Sequence, residues 1–189
     1  MLKDMKRAGF TIVELLVVIV IIAILAGVTV MAYTGIREKA YASKVETDTQ
    51  QLIKAIRVAR ESTQKTLMQL TGYNHTAGTC REASTIPDGT DLLTLPSTHN
   101  CWAAYRAALN TISNASGINV RNLLDPWGWP YAIDENEGES GGCGRDAVAV
   151  FARPLNSYAA GAYDSYPVYD AKYGTISIPR TGFTGCAAD

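Results

Sequence analysis

The sequence predicts an α+β protein: one long helix, a shorter second helix and short strands toward the C-terminus. Three observations carry this reading. No proline falls between Phe10 and Leu70, and that stretch is first apolar and then amphipathic. From Asn100 to Ser113, Trp102, Tyr105, Leu109 and Ile112 recur at steps of three and four, which places them on one helix face. Beyond residue 124, glycine and proline cut the chain into short pieces. Of these, Tyr131–Asp134, Ala147–Arg153 and Thr175–Pro179 have strand composition.

The long helix has two halves of different character. From Leu15 to Tyr33 there is no charge, and Thr29 is the only ordinary polar side chain. A membrane core of ~30 Å needs about 20 such residues as a helix. No proline stops the helix at the membrane surface. Carried to Leu70, it would reach roughly 90 Å. From Ile36 onward Val45, Thr49, Leu52, Ile56, Ala59, Thr63, Leu67 and Leu70 form a stripe, with Lys44, Lys54, Arg57, Glu61 and Lys65 on the other faces. That is the pattern of a helix packed on a globular body. Gly72 marks its C-terminal stop.

Residues 1–9 carry Lys3, Lys6 and Arg7 ahead of the apolar run. Positive charge stays on the cytoplasmic side, so the run points its C-terminal end outward. The small-residue pair Ala8-Gly9 precedes the apolar run, whereas a secretory signal is cut after its apolar core. Next come Phe10-Thr11-Ile12-Val13-Glu14, with a carboxylate two residues inside the run. An acid within a membrane helix costs about 2.5–3.5 kcal/mol and calls for a partner, unless it snorkels to the headgroups.

A short basic leader ending in Gly9, then Phe10, then Glu14 and a long apolar run resembles the prepilin signal of type IV pilins and type II secretion pseudopilins. The resemblance covers about the first 35 residues of the 189. It implies a leader over 1–9, a transmembrane and filament-core half-helix over 10–35, and a globular pilin domain over 36–189. Prepilin peptidase would cut between Gly9 and Phe10 and methylate the new Phe10 amine. That amine, of the same chain or a neighbour, would pair with Glu14 during assembly. The implied partners are further copies in a helical homopolymer, prepilin peptidase, an inner-membrane assembly platform and the membrane itself. The implied location is the inner membrane, then an extracellular or periplasmic filament. The proline that many members carry deeper in this helix is absent; Val28-Thr29-Val30-Met31-Ala32 stands there.

Residues 73–99 mix Gly, Pro, Asn, Asp and Thr without period and read as loop. Asn74-His75-Thr76 and Asn114-Ala115-Ser116 fit a glycosylation pattern common by chance. A short helical piece is expected around Val120–Leu124. Then Asp125-Pro126-Trp127-Gly128-Trp129-Pro130-Tyr131 forces a turn that Trp127 and Tyr131 can pin to a core. This run resembles the Asp-Pro-Trp-Gly-x-Pro-Tyr signature of the major pseudopilin, with Trp129 where asparagine is usual. The fold the resemblance implies is the pilin fold, a long helix lying against a sheet of three or four strands.

The four cysteines, Cys80, Cys101, Cys143 and Cys186, all lie beyond the apolar run and none forms Cys-x-x-Cys. An even count on an exported body favours two disulfides over buried thiols. Three pairings are open; joining neighbours in sequence gives Cys80–Cys101 and Cys143–Cys186. Major pseudopilins bind calcium in the loop before the last strand. The matching loop here, Leu155–Gly174, offers only Asp164 and Asp170, and calcium wants six to eight oxygens. A solvated tyrosine-rich loop without a cofactor is the expectation, with those two acids as the calcium candidates. Asp134, Glu135, Glu137 and Glu139 are expected at an exposed hairpin tip, and Cys143–Cys186 would tie that region to the C-terminus in place of a metal.

The function classes follow. Of 17 basic and 18 acidic residues, the leader takes Lys3, Lys6, Arg7 and Asp4, leaving 14 and 17. That balance gives no reason to expect nucleic-acid binding. His75 and His99 stand alone, and no nucleophile elbow or phosphate loop appears, so an enzyme is not expected. A type IV pilus subunit is the leading reading, and a type II secretion pseudopilin the alternative. Tyr158, Tyr163, Tyr166, Tyr169 and Tyr173 are the residues an adhesive tip subunit would use.

Overall fold

The computed structural model describes residues 11–74, 76–82, 85–155, 170, 172–182 and 185–189. The chain divides into two units, Met1–Tyr41 and Ala42–Asp189. Helix α1, Ile12–Thr63, begins in the first and ends in the second. Within the first unit it passes Gly27 without a break. There Thr29 donates its hydroxyl back to the Leu25 carbonyl at 2.6 Å, so the lone polar side chain of the apolar run is satisfied within the helix.

In the second unit the predicted stripe of α1 faces a core. Val45, Thr49, Leu52, Ile56 and Ala59 are buried, together with Ala55. The helix does not run on to Leu70. Gln64 adopts a φ of 55°, and the Lys65 amide reaches back five residues to the Arg60 carbonyl. A second helix, α2 (Leu67–Thr71), then starts from a capping box. Thr66 accepts from the Gln69 amide at 3.3 Å, and Gln69 accepts from the Thr66 amide at 3.2 Å. This reciprocal cap supplies the orphan donors of a new helix start and lets Leu67 enter the core. Gly72 ends α2 at a φ of 67°, where a Cβ would be strained.

Residues 73–99 are more ordered than their composition suggested. They hold α3 (Thr76–Thr79) and a 3-10 turn at Leu92–Thr94, capped by Asp91. Each is too short to show a period. Cys80, Ile86 and Leu92 are fully buried, and Cys80 is bonded to Cys101. Helix α4, Asn100–Ser116, buries Tyr105, Leu109 and Ile112, while Trp102 stays half-buried. His99 caps it, its Nδ1 accepting from the Cys101 amide at 3.2 Å. The short helix expected near Val120–Leu124 is instead a turn closed from Leu123 to Val120. The carbonyls that would continue a helix are engaged elsewhere: Leu123 accepts from Tyr105 Oη and Leu124 from Lys44 Nζ.

Strands β1 (Ala132–Asp134), β2 (Ala147–Ala149) and β3 (Thr175–Ser177) form an antiparallel sheet in that order. Ile133 pairs with Val148, and Val148 with Ile176. Alternation along the strands separates two cores. Ile133, Val148 and Val150 pack with α1 and α4, whereas Ala132, Ala149 and Phe151 pack with Ile86, Leu92 and the Cys80–Cys101 bridge. The β1–β2 connection is not the exposed acidic tip expected. Glu135 and Glu137 are buried; Glu139 is exposed. The second disulfide joins Cys143 to Cys186. Thr76 of the first glycosylation pattern is buried, and Asn114 of the second is exposed. The Thr76 hydroxyl is buried between the Tyr131 carbonyl and the Ile133 amide, and Asn114, on α4, accepts from Arg121.

Candidate functional site

Among the described residues nothing covers the helix of the first unit. Among the described residues α1 is the one helix long and apolar enough to cross a membrane, and none of its apolar window is buried. Its large side chains from Ile12 to Val28 are all exposed. A soluble monomer rarely leaves more than a few hundred Å² of contiguous apolar surface in water.

At the start of that surface stands Glu14, and the structure gives its carboxylate a local partner. Glu14 Oε2 accepts from the Thr11 amide at 2.9 Å and from the Thr11 hydroxyl at 2.8 Å. The Thr11 hydroxyl in turn accepts from the Glu14 amide at 3.2 Å. This is a capping box at the first turn of α1. The Thr-x-x-Glu spacing was legible in the sequence, yet only the charge of Glu14 was read there. The arrangement holds an anion at the helix N-terminus, where the helix dipole favours it. Gly9 and Phe10 lie outside the described residues.

The turn after Leu124 is built on Asp125. Its Oδ1 accepts from the amides of Trp127 and Trp129 at 2.9 and 2.7 Å, and Gly128 takes a φ of 86°. Tyr131 is buried and donates to Asp48 on α1 at 2.8 Å, while Asp48 also binds Lys44. Trp129, the departure from the signature, is buried and donates its indole N–H to Asp91 at 2.8 Å. A residue that seats the second core has replaced a small polar one.

Arg153 joins this turn to the loop before β3. Its guanidinium stacks 3.2 Å from the Trp127 ring centroid. It binds Asp125 at 3.0 Å and Asp170 at 3.2 Å. Asp170 also accepts from the Lys172 amide. The calcium candidate is thus engaged by a guanidinium, whose charge opposes a second cation. Among the described residues no group of three or more acids, histidines or cysteines is placed to hold a metal. The described donors do not fit calcium. Asp164, His75 and the tyrosines from Tyr158 to Tyr169 lie outside the described residues. Tyr173 packs edge-on against Trp127 at 5.7 Å.

Residues 4–30 match the model of the prokaryotic N-terminal methylation motif. The chain carries a prepilin signal. That motif marks a type IV pilin-like or pseudopilin-like subunit. Such subunits are structural. The signal and the uncovered apolar helix together point to insertion in a membrane. No curated protein and no solved structure matches the chain.

Inside the second unit is a buried charge cluster that sequence reasoning missed. Arg60 of α1 has its guanidinium against Glu137 and, at 3.3 Å, Asp146; all three are buried. Asp146 Oδ1 accepts from the amides of Asn136 and Glu137 at 2.8 and 2.9 Å. Glu137 Oε1 accepts from the amides of Thr181 and Gly182 and from the Thr181 hydroxyl, at 2.9, 3.1 and 2.7 Å. One arginine therefore fixes the β1–β2 connection to α1, and Glu137 holds the segment after β3. The C-terminal Asp189 side chain, bound to Arg145 and Arg180, secures that segment's end. Those hydrogen bonds, from Arg145 foremost, hold its carboxyl below the usual range.

Glu135 lies beside this cluster. One oxygen accepts from Thr71, and the other is buried without a hydrogen-bond partner. Burial foremost, with Asp146, Asp134 and Glu139 adding to it against the Thr71 bond, pushes its carboxyl up to about 7 from 4.5. A carboxyl raised on folding stabilises the protonated native state. That contribution is whole below about pH 4.5 and is lost as pH rises through about 7. The difference amounts to about 3 kcal/mol. In a series of melts from pH 5 to 8, Glu135→Gln is expected to remove this decline, so that its advantage over wild type grows with pH. Parallel curves for the two proteins would contradict this.

Proposed function

We infer that this chain is the subunit of a type IV pilus. In this reading prepilin peptidase cuts between Gly9 and Phe10 and methylates the Phe10 amine. The inner-membrane assembly platform then moves the subunit from the membrane into a helical homopolymer. The apolar face of residues 10–35 is the polymer contact. The filament serves adhesion, motility or DNA uptake, and the subunit performs no catalysis. The carrying observation is an apolar helix left uncovered behind a single capped carboxylate, in a segment that matches the methylation motif. Two disulfides and the hold of Arg153 on Asp170 support a pilus subunit stabilised without calcium.

The second reading is a subunit of a type II secretion filament, which the Asp125–Tyr131 turn favours. Shearing separates the two. Surface filaments from wild-type cells, with a subunit mass lacking residues 1–9 and carrying one methyl group on Phe10, are expected for the pilus. Loss of protein secretion in a deletion strain that never had surface filaments would favour the secretion system. Gly9→Arg should leave an uncut precursor in the membrane. Normal filaments from that precursor would refute both readings.

A further inference from the structure

The apolar run of α1 ends in the first unit on a face of different chemistry. From Leu15 to Tyr33 the helix carries no charge, and at the helical rise that run covers about 28 Å. A hydrocarbon core is ~30 Å thick. Arg37 stands one turn further along the same helix, about 6 Å beyond Tyr33. The polar layer on each side of a bilayer is about 5–7 Å deep, so a helix that spans the core sets Arg37 in that layer.

Tyr33, Arg37 and Tyr41 follow at steps of four and share one face of α1. Tyr33 and Arg37 are exposed. Arg37 Nε donates to Tyr41 Oη at 2.9 Å, and the guanidinium lies 5.2 Å from the Tyr41 ring centroid. This brace uses Nε–H alone. Both Nη groups, the fork that grips a phosphate through parallel hydrogen bonds, have no partner among the described residues. Lys39 is exposed, and the ion pairs among the described residues do not include it. Glu38, between these two cations in sequence, already has a partner within the chain.

We propose that Tyr33, Arg37 and Tyr41 form a headgroup site for an anionic phospholipid, in the leaflet at the C-terminal end of the apolar run. Lipid is the occupant because the face continues, without a break in the helix, the uncovered apolar window that passes through the membrane. Tyr33 lies at the edge of the hydrocarbon, where a ring with a polar tip is favoured. Arg37 takes the lipid phosphate through its Nη fork, and Tyr41 holds the guanidinium from the water side. Lys39 adds a second positive charge, so a net negative headgroup is preferred over a zwitterionic one, whose own cation these residues repel. This inference rests on the membrane reading above and names the lipid chemistry at one edge of the span.

The test is lipid retention by the full chain in detergent, offered phosphatidylglycerol and phosphatidylcholine in equal amounts and read by native mass spectrometry. Wild type is expected to retain phosphatidylglycerol in preference, and Arg37→Gln to lower that ratio about fivefold. The basic leader is present in every variant and does not alter the comparison. Arg37→Lys keeps the charge without the fork and should fall between. Tyr41→Phe keeps the ring but removes the acceptor that positions the guanidinium, and should lower the ratio in part. A second measurement places the face in the bilayer. The chain has no free cysteine, so Ile36→Cys supplies a single thiol for a spin label. In vesicles of the two lipids, its collisions with oxygen and with a water-soluble nickel chelate should place it in the headgroup layer. An unchanged lipid ratio in Arg37→Gln, or a label in bulk water, would overturn the site. Wild-type protein that does not enter the vesicles would overturn the membrane reading, and this site with it.

Discussion

Replacing Arg60 by methionine lowers the unfolding free energy by about 3–5 kcal/mol. The side chain is fully buried and serves two carboxylates, Glu137 and Asp146. Taking the guanidinium away leaves both acids in a low-dielectric interior without a countercharge. Burial already holds Asp146 above the ordinary carboxylate range even with Arg60 present. Methionine fills much of the volume, so the loss reflects stranded charge rather than a cavity. The triple variant Arg60→Met, Glu137→Gln, Asp146→Asn should recover part of the loss, because no net charge is then buried. Lysine at 60 should fall between, since it keeps the charge but lacks the fork that reaches two partners. Thermal unfolding of the detergent-solubilised chain reads all four. A melt for Arg60→Met equal to wild type would show that the cluster contributes nothing. The loss should appear first as protease sensitivity beyond Ile178, because Glu137 holds Thr181 and Gly182.

Glu14→Leu removes filaments while leaving cleavage and membrane level intact. This loss follows from the proposed pairing of Glu14 with the Phe10 amine. If Glu14 only tolerates the membrane, leucine removes an insertion cost and nothing else changes. If it receives the amine of an incoming subunit, leucine leaves that buried cation facing hydrocarbon, which is costly. The capping box adds a graded test. Thr11 holds Oε2 through both its amide and its hydroxyl. Thr11→Val keeps the charge and the amide contact but frees the carboxylate of one bond. It should reduce assembly partially, and Thr11→Ser should not. Glu14→Asp shortens the reach by one methylene and should be intermediate. Counts of sheared filaments beside a membrane immunoblot report the outcome. Equal yield from Glu14→Leu and wild type would mean the carboxylate has no part in assembly.

The residues that local rules govern were readable in advance. Val45, Leu52, Ile56 and Ala59 face a core because helical spacing puts them on one stripe, whatever they pack against. Asp125, Pro126 and Gly128 make a turn because a short acceptor side chain, a locked φ and a free φ act over five residues. The prepilin signal is likewise local. It lies in the order of a basic leader, Gly9, Phe10, Glu14 and an apolar run, and needs no fold to be recognised.

Long-range partners decided the rest. Glu135 and Glu137 sit in a hydrophilic, glycine-flanked stretch that reads as exposed. They are inside because Arg60, 77 residues before Glu137, brings a charge from α1, and because Thr181 and Gly182 bring donors from beyond β3. Arg60 stands four residues after Ile56 and seven before Leu67, on the apolar side of α1, but nothing near it in sequence says which acids will meet it. Asp170, a weak calcium candidate in sequence, meets Arg153 across the Trp127 ring, a partner 17 residues away that no local pattern announces. The end of α1 at Thr63 belongs to the same class. Helical periodicity continues through Leu67, but a capping box at Thr66 and a core that admits Leu67 from a new direction stop the helix first. Periodicity and turn chemistry act between near neighbours and are written in order along the chain. Charge burial and helix termination depend on which distant groups arrive, and only the packed tertiary structure brings them together.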